Sequence, residues 1–154
     1  MTTGTATADS LVLERTPCFG FCPTYRLSIA RSGAVVFEPT ARTAADGVAR
    51  DTATVSAATL DTLVSRAERI GFFALPELVR EDSTLCQALA TDHPSVVLSI
   101  HRASGVHRVD YYTGCYASGG DSRRVAVLDS LGALAAAVDS AANVARWLPA
   151  DRRP

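Results

Sequence analysis

"TPCFGFCPTYRLSIARSGAVVFEP", residues 16–39, sets two patterns back to back. In its second half Tyr25, Leu27 and Ile29 share one face, Ser32-Gly33 supplies a turn, and Val35 and Phe37 resume the alternation until Pro39 ends it. Period-two apolar spacing about a glycine turn predicts a β-hairpin with one buried face. The first half places Cys18 and Cys22 four positions apart, with Gly20 between them and Pro23 after. The hairpin points to an antiparallel sheet. The cysteine pair poses the question of function: staple, metal claw or redox couple.

Upstream, "LVLERT" (11–16) is a short alternating run that reads as a first strand. Downstream, "TARTAADGVARD" is small and polar with a turn at Asp46-Gly47, and "VARDTATVS" offers an edge strand. Ser56 is a suitable N-cap for a helix in which Leu60, Leu63, Val64, Ala67 and Ile70 recur on one face and Gly71 supplies the stop. "FFALPEL" adds bulky side chains, and Glu81 to Asp92 reads as irregular. "SVVLSIH" (95–101) and "VHRVDYY" (106–112) form a second hairpin about Ala103-Ser104-Gly105. After the glycine-rich "TGCYASGGDS", a second helix begins near Asp121 or Ser122, with Val125, Leu128, Leu131, Leu134, Ala135 and Val138 inward, and runs to about Ala142. Trp147 is then expected to be buried.

The order is strands, helix, strands, helix. It predicts an α+β domain: an antiparallel sheet built from two hairpins plus short edge strands, with two helices packed on one face. Residues 11–148 form the single domain, between a flexible leader (1–10) and a polar tail (149–154).

Composition narrows the function classes. The 154 residues are 47% apolar and 20% charged with a formal net charge of −1, which excludes the basic surplus needed for a broad grip on nucleic acid. All 15 basic residues are arginine, which with the abundant alanine fits a GC-rich coding bias. No apolar run reaches the roughly 18 residues of a membrane helix, so no transmembrane segment is expected. "MTTGTATADS" lacks the basic and apolar regions of an export signal. We expect a native signal or lipid-anchor segment to have been trimmed from it. The four cysteines, Cys18, Cys22, Cys86 and Cys115, allow three pairings. Oxidising compartments favour disulfides, and the cytosol favours metal or catalysis.

"RTPCFGFCPTYRLSIARSG" resembles the opening motif of a bacterial family, the domain of unknown function 6438, through its arginine-threonine pair and its Cys-Phe-Gly-x-Cys-Pro-x-Tyr run. The matching positions are Cys18, Phe19, Gly20, Cys22, Pro23 and Tyr25. The similarity continues through "IGFFAL", "TDHPSVVLSI" and "LDSLGALAAAVDSAANVARWL". The resemblance implies a small domain of exported or lipid-anchored bacterial proteins, hence a periplasmic or secreted location, with no established activity. It leads us to expect Cys86 and Cys115 in only some relatives.

For the cysteines we expect two staples, Cys18–Cys22 and Cys86–Cys115. A bond between the first pair closes a tight loop in which Gly20 takes a positive φ, Pro23 fixes the exit and Tyr25 covers the sulfurs. Chain entropy gives about 2 kcal/mol for that ring and roughly 3.5 kcal/mol for the second. The alternative is copper. Sco-type copper chaperones also carry Cys-x-x-x-Cys-Pro, and soft thiolates with an imidazole suit Cu(I). The metal set would then be Cys18, Cys22 and one of His93, His101 or His107. Against it, the motif here opens a strand, and paired Cys-x-x-Cys units of a zinc site are missing. A thioredoxin-type couple would need Cys-x-x-Cys at a helix start, which this is not.

Other chemistry finds little support. His101 and His107 lie on facing strands in unknown register and read as surface histidines. Asp92-His93-Pro94 reads as a turn. Ser83, Ser118 and Ser122 lack a Gly-x-Ser-x-Gly setting, and "GCYASGGDS" lacks the Gly-Lys-Ser/Thr of a phosphate loop. Tyr111, Tyr112 and Tyr116 cluster beside Cys115, either lining a binding surface or covering a disulfide. We therefore expect a disulfide-stapled extracytoplasmic module rather than an enzyme, without cofactor. It would bind a protein or small molecule through the Cys18–Cys22 loop and the tyrosine-rich loop. A copper-binding or thiol-redox protein is the alternative.

Overall fold

The computed structural model describes residues 7–116 and 122–153. Of the residues named above, Ser118, Asp121 and the side chains of Ser122 and Val125 lie outside the described residues. The fold is α+β. Strands β1 (Ala8–Arg15), β2 (Tyr25–Ala30), β3 (Ala34–Pro39), β4 (Asp51–Thr54), β6 (Ser95–Arg102) and β7 (Gly105–Tyr112) form one sheet in the order β4-β3-β2-β1-β6-β7. Each neighbouring pair is antiparallel. Two short strands, β5 (Ala88–Leu89) and β8 (Cys115–Tyr116), pair separately.

Register converts the alternation into a core. Phe37, Leu27, Leu13, Leu98 and Val109 stand opposite one another across five strands, so they share a face, and all are buried. Glu38, Arg26 and Glu14 form the next row on the other face, with Arg26 and Glu14 3.5 Å apart. The second face is mixed, since Val97, opposite Glu14, and Val12 are buried on it as well.

Helix α2 (Thr59–Arg69) places Leu60, Leu63, Val64 and Ala67 in the same buried cluster as the apolar sheet row. Leu128, Leu131, Leu134, Ala135, Val138 and Ala142 of α3 (Ser122–Ala142) join it. Each such side chain, fully buried, contributes roughly 1.5–3 kcal/mol if it is Leu, Val or Phe. After α3 the chain turns at Asn143, and the Trp147 ring stacks on Phe37 at 4.7 Å while its Nε1–H donates to Asp51 at 2.8 Å. The half-buried indole so ties the C-terminal segment to β3 and β4.

The structure departs from the sequence reading in a few places. β1 begins at Ala8, three residues before the alternation, because Ala8 and Ser10 pair with β6 across an irregularity in register. A short helix α1 (Ala41–Ala45) occupies part of the polar segment and packs Thr43 against Thr24. Ser56 is not the N-cap of α2. That position is Ala58, and the Ser56 hydroxyl instead accepts the Ala58 N–H at 3.2 Å, making a turn one step earlier. Residues 81–92 include β5 and are less irregular than expected. At the first hairpin turn Gly33 has φ +90° and a Cβ there would collide with the Val55 carbonyl, so glycine is required where β4 leaves toward α2.

Candidate functional site

One end of the sheet gathers most of the residues singled out in the sequence. Arg15 pairs with Tyr25 and with Val96, Tyr25 with Pro39, and Ser95 with Tyr112, so these strands begin or finish at a common edge. The segments that connect them must meet there.

The Cys18–Cys22 bond closes the first of these segments, with the two Cα atoms 5.7 Å apart. Gly20 at its tip has φ +137°, a conformation that costs a residue with a side chain. Both ends of the loop are pinned. The Thr16 N–H donates to Ser95 C=O at 3.1 Å and the Ser95 N–H to Thr16 Oγ1 at 2.7 Å. The Thr24 N–H donates to Thr43 Oγ1 at 2.8 Å and the Thr24 hydroxyl to Thr40 C=O at 2.6 Å. Between those pins Phe19 and Phe21 project outward, 87% and 61% exposed. The Arg42 guanidinium lies over the Phe21 ring at 4.6 Å.

The second bond, Cys86–Cys115, is buried and joins the β5 and β8 segments, its Cα atoms 5.3 Å apart. The two disulfide regions are contiguous. The Phe19 N–H reaches Asp92 C=O at 3.4 Å, the Ala90 N–H donates to Gly114 C=O at 2.8 Å, and the Tyr112 hydroxyl donates to Ala90 C=O at 2.6 Å. Of the five large hydrophobics exposed among the described residues, Phe19, Phe21, Leu89 and Tyr116 lie in these segments. The fifth, Val106, is at the opposite hairpin tip.

The three tyrosines divide. Tyr116 is exposed. Tyr112 is partly buried, and its hydroxyl also accepts the His93 N–H at 3.3 Å. Tyr111 packs against the core, and its phenol is raised above the ordinary value by burial and then by the charge of Asp129.

Tyr25, the tyrosine of the cysteine motif, points inward. Its ring contacts Phe37 at 5.3 Å, and its hydroxyl donates to Asp139 Oδ1 at 2.6 Å. Arg15 donates from Nη2 to Asp139 Oδ2 at 2.6 Å and from Nε to the Tyr25 oxygen at 3.0 Å. Burial, then the negative charge of Asp139, pushes the Tyr25 phenol far above its ordinary value. For Arg15, burial is the largest influence and acts to lower the guanidinium, yet Asp139 and Tyr25 together outweigh it and the net shift is upward. The network borders a cleft of about 350 Å³ lined also by Asn143, Val144 and Arg153. Both Asp139 oxygens are already engaged, so its chemistry is that of a lock. Asp139 was not anticipated from sequence. Its signal is a carboxylate four residues after Ala135 on an otherwise apolar helical stripe.

A match to the family described as Domain of unknown function (DUF6438) spans residues 9–128. The chain belongs to this family. No curated protein matches it. In this DUF6438 chain the matched stretch includes both disulfides, Phe19, Phe21, Arg15 and Tyr25, while Asp139 falls beyond it.

The histidines of this DUF6438 chain are dispersed. His93 is exposed beside the Cys18–Cys22 loop, one residue from the carbonyl that Phe19 contacts. His101 and His107 stand near the far tip of the second hairpin, where His101 pairs with Val106 and His107 with Ile100, so they occupy opposite faces. Six residues of strand, roughly 20 Å, separate His101 from the disulfide end. His107 is not a solvent-facing histidine: it packs against Phe72 and Phe73 at 5.3 and 5.7 Å because its position falls on the core face. Among the described residues no group of three or more His, Cys, Asp or Glu is placed to hold a metal ion, and no helix is long and apolar enough to cross a membrane.

Proposed function

We propose that this chain is an extracytoplasmic binding module of a bacterial cell envelope, and that it makes contact through the disulfide end of its sheet. Phe19 and Phe21 are the anchors. The observation that carries this reading is the pair of phenylalanine rings held out of the fold on a covalently closed, doubly pinned loop. Burying apolar area that large inside the domain would have been favourable. A rigid aromatic pair instead gives a partner contact area at little ordering cost, as in interface hot spots. Two disulfides support an oxidising compartment.

Site-specific photo-crosslinking in the native host tests the proposal. Benzoylphenylalanine at position 19 is expected to give one reproducible adduct identifiable by mass spectrometry, whereas the same residue at position 106 gives none. Equal labelling at the two positions, or no adduct at either, contradicts it. The rival reading, copper held by reduced Cys18 and Cys22, would draw its imidazole from His93, the histidine beside the loop. Stoichiometric copper in the purified chain would favour that rival.

A further inference from the structure

We infer that the two disulfides have different jobs and that Cys18–Cys22 is a redox switch on the contact surface. The inference rests on the reading of Phe19 and Phe21 as anchors. Four observations carry it. Cys18 and Cys22 are partly exposed, whereas Cys86 and Cys115 are 7% and 4% exposed and belong to the buried cluster. Thiol–disulfide exchange requires a thiolate to reach a sulfur, so access selects the first bond over the second.

The loop ends are held independently of the sulfurs, at Thr16 by Ser95 and at Thr24 by Thr43 and Thr40. Opening the bond therefore removes the covalent closure of residues 17–23 and leaves the strands paired. The loop's other described backbone tie, the Phe19 N–H to Asp92 C=O contact, is long at 3.4 Å. That segment carries both exposed phenylalanines, with Arg42 lying over the Phe21 ring as a side-chain contact to α1.

The reaction is an ordinary two-electron exchange with an external dithiol reductant. One thiolate of the reductant attacks Sγ of Cys18 or Cys22 and forms a mixed disulfide, releasing the other cysteine as a thiolate that takes a proton. The second thiol of the reductant loses its proton and displaces the remaining cysteine. The reductant leaves as a disulfide and the chain holds two thiols. In that state Phe19 and Phe21 lose their fixed relation, and the entropy of ordering them falls on binding.

The experiment has two arms. In the first, oxidised chain is titrated with dithiothreitol, quenched by alkylation and mapped by peptide mass spectrometry, with amide exchange followed in parallel. Cys18 and Cys22 are expected to be alkylated at least about tenfold faster than Cys86 and Cys115, with exchange rising in residues 17–23 alone. Simultaneous opening of both bonds, or loss of protection throughout the sheet, overturns the switch. In the second arm, the Cys18→Ser/Cys22→Ser variant carries benzoylphenylalanine at position 19 in the host. Loss of the adduct supports the switch. A full adduct in this variant overturns the switch while leaving the contact surface standing. An adduct missing from the oxidised chain as well overturns the contact surface, whatever the first arm shows.

Discussion

The hydroxyl of Tyr25 and the guanidinium of Arg15 bind opposite oxygens of the same carboxylate, Asp139, each at 2.6 Å. One residue begins β2, one ends β1 and the third sits on α3, so the contact bolts the helix to the strands that flank the cysteine loop. Asp139→Asn leaves a largely buried guanidinium without its counter-charge. We expect a loss of about 3 kcal/mol in unfolding free energy, read by urea denaturation. In a domain of this size that lowers Tm by roughly 6–12 °C. The double variant Arg15→Met/Asp139→Leu should lose less than Asp139→Asn alone, because no charge is left unpaired. A loss below about 1 kcal/mol for Asp139→Asn would show that the pair behaves as a surface ion pair.

The same contact fixes an alkaline response. Burial and Asp139 raise the folded-state pKa of Tyr25 above that of the unfolded chain. Its contribution to stability is therefore complete below the unfolded value near 10 and is lost as pH rises toward the folded one. In a spectrophotometric titration of the four tyrosines, one should ionise only as the protein unfolds. Tyr25→Phe should remove that delayed step. Persistence of the step in the variant would assign it to Tyr111, whose phenol is also raised.

Acid acts elsewhere. The Trp147 indole N–H, and then the Thr52 backbone N–H, hold the Asp51 carboxyl below its ordinary value. A depressed carboxylate stabilises the fold above its unfolded pKa and loses that contribution as pH falls through the folded one. Trp147 is the single tryptophan of the chain, so its emission reports the event directly. We expect an emission change with a midpoint below that of an ordinary aspartate, abolished in Asp51→Asn. An unchanged acid transition in that variant would separate the indole from the carboxylate.

The disulfides should differ in what they contribute to folding. Cys86→Ala/Cys115→Ala removes a buried tie across a long loop, at a cost of about 3.5 kcal/mol or more. Cys18→Ala/Cys22→Ala opens a short ring whose ends are pinned by threonines, and should cost about 2 kcal/mol or less. Thermal unfolding of both variants under non-reducing conditions ranks them. The reverse order would make the cysteine loop a folding element.

Sequence carried the parts of the fold that repeat. Tyr25, Leu27, Ile29, Val35 and Phe37 announce their hairpin because a one-residue slip would move them all to the solvent face. Leu60, Leu63, Val64 and Ala67 announce α2 by the same logic at helical period. Elements too short to show a period stayed hidden: α1 has five residues, and β5 and β8 two each. The Cys18 and Cys22 loop was legible as a unit, but its two rings pointing outward were not. Alternation says nothing about a segment outside a strand. Asp139 was hidden for a different reason, since the value of a buried carboxylate depends on partners 114 and 124 positions away.

The reading of this chain turns on the outward-facing rings of Phe19 and Phe21 adding little to the stability of the fold. Unfolding free energy of the Phe19→Ser/Phe21→Ser variant measures that directly. A loss of about 1 kcal/mol or less, the Arg42 contact with the Phe21 ring included, is the expected result. A loss of several kcal/mol would show that the rings are structural, and the contact surface built on them would have to be abandoned.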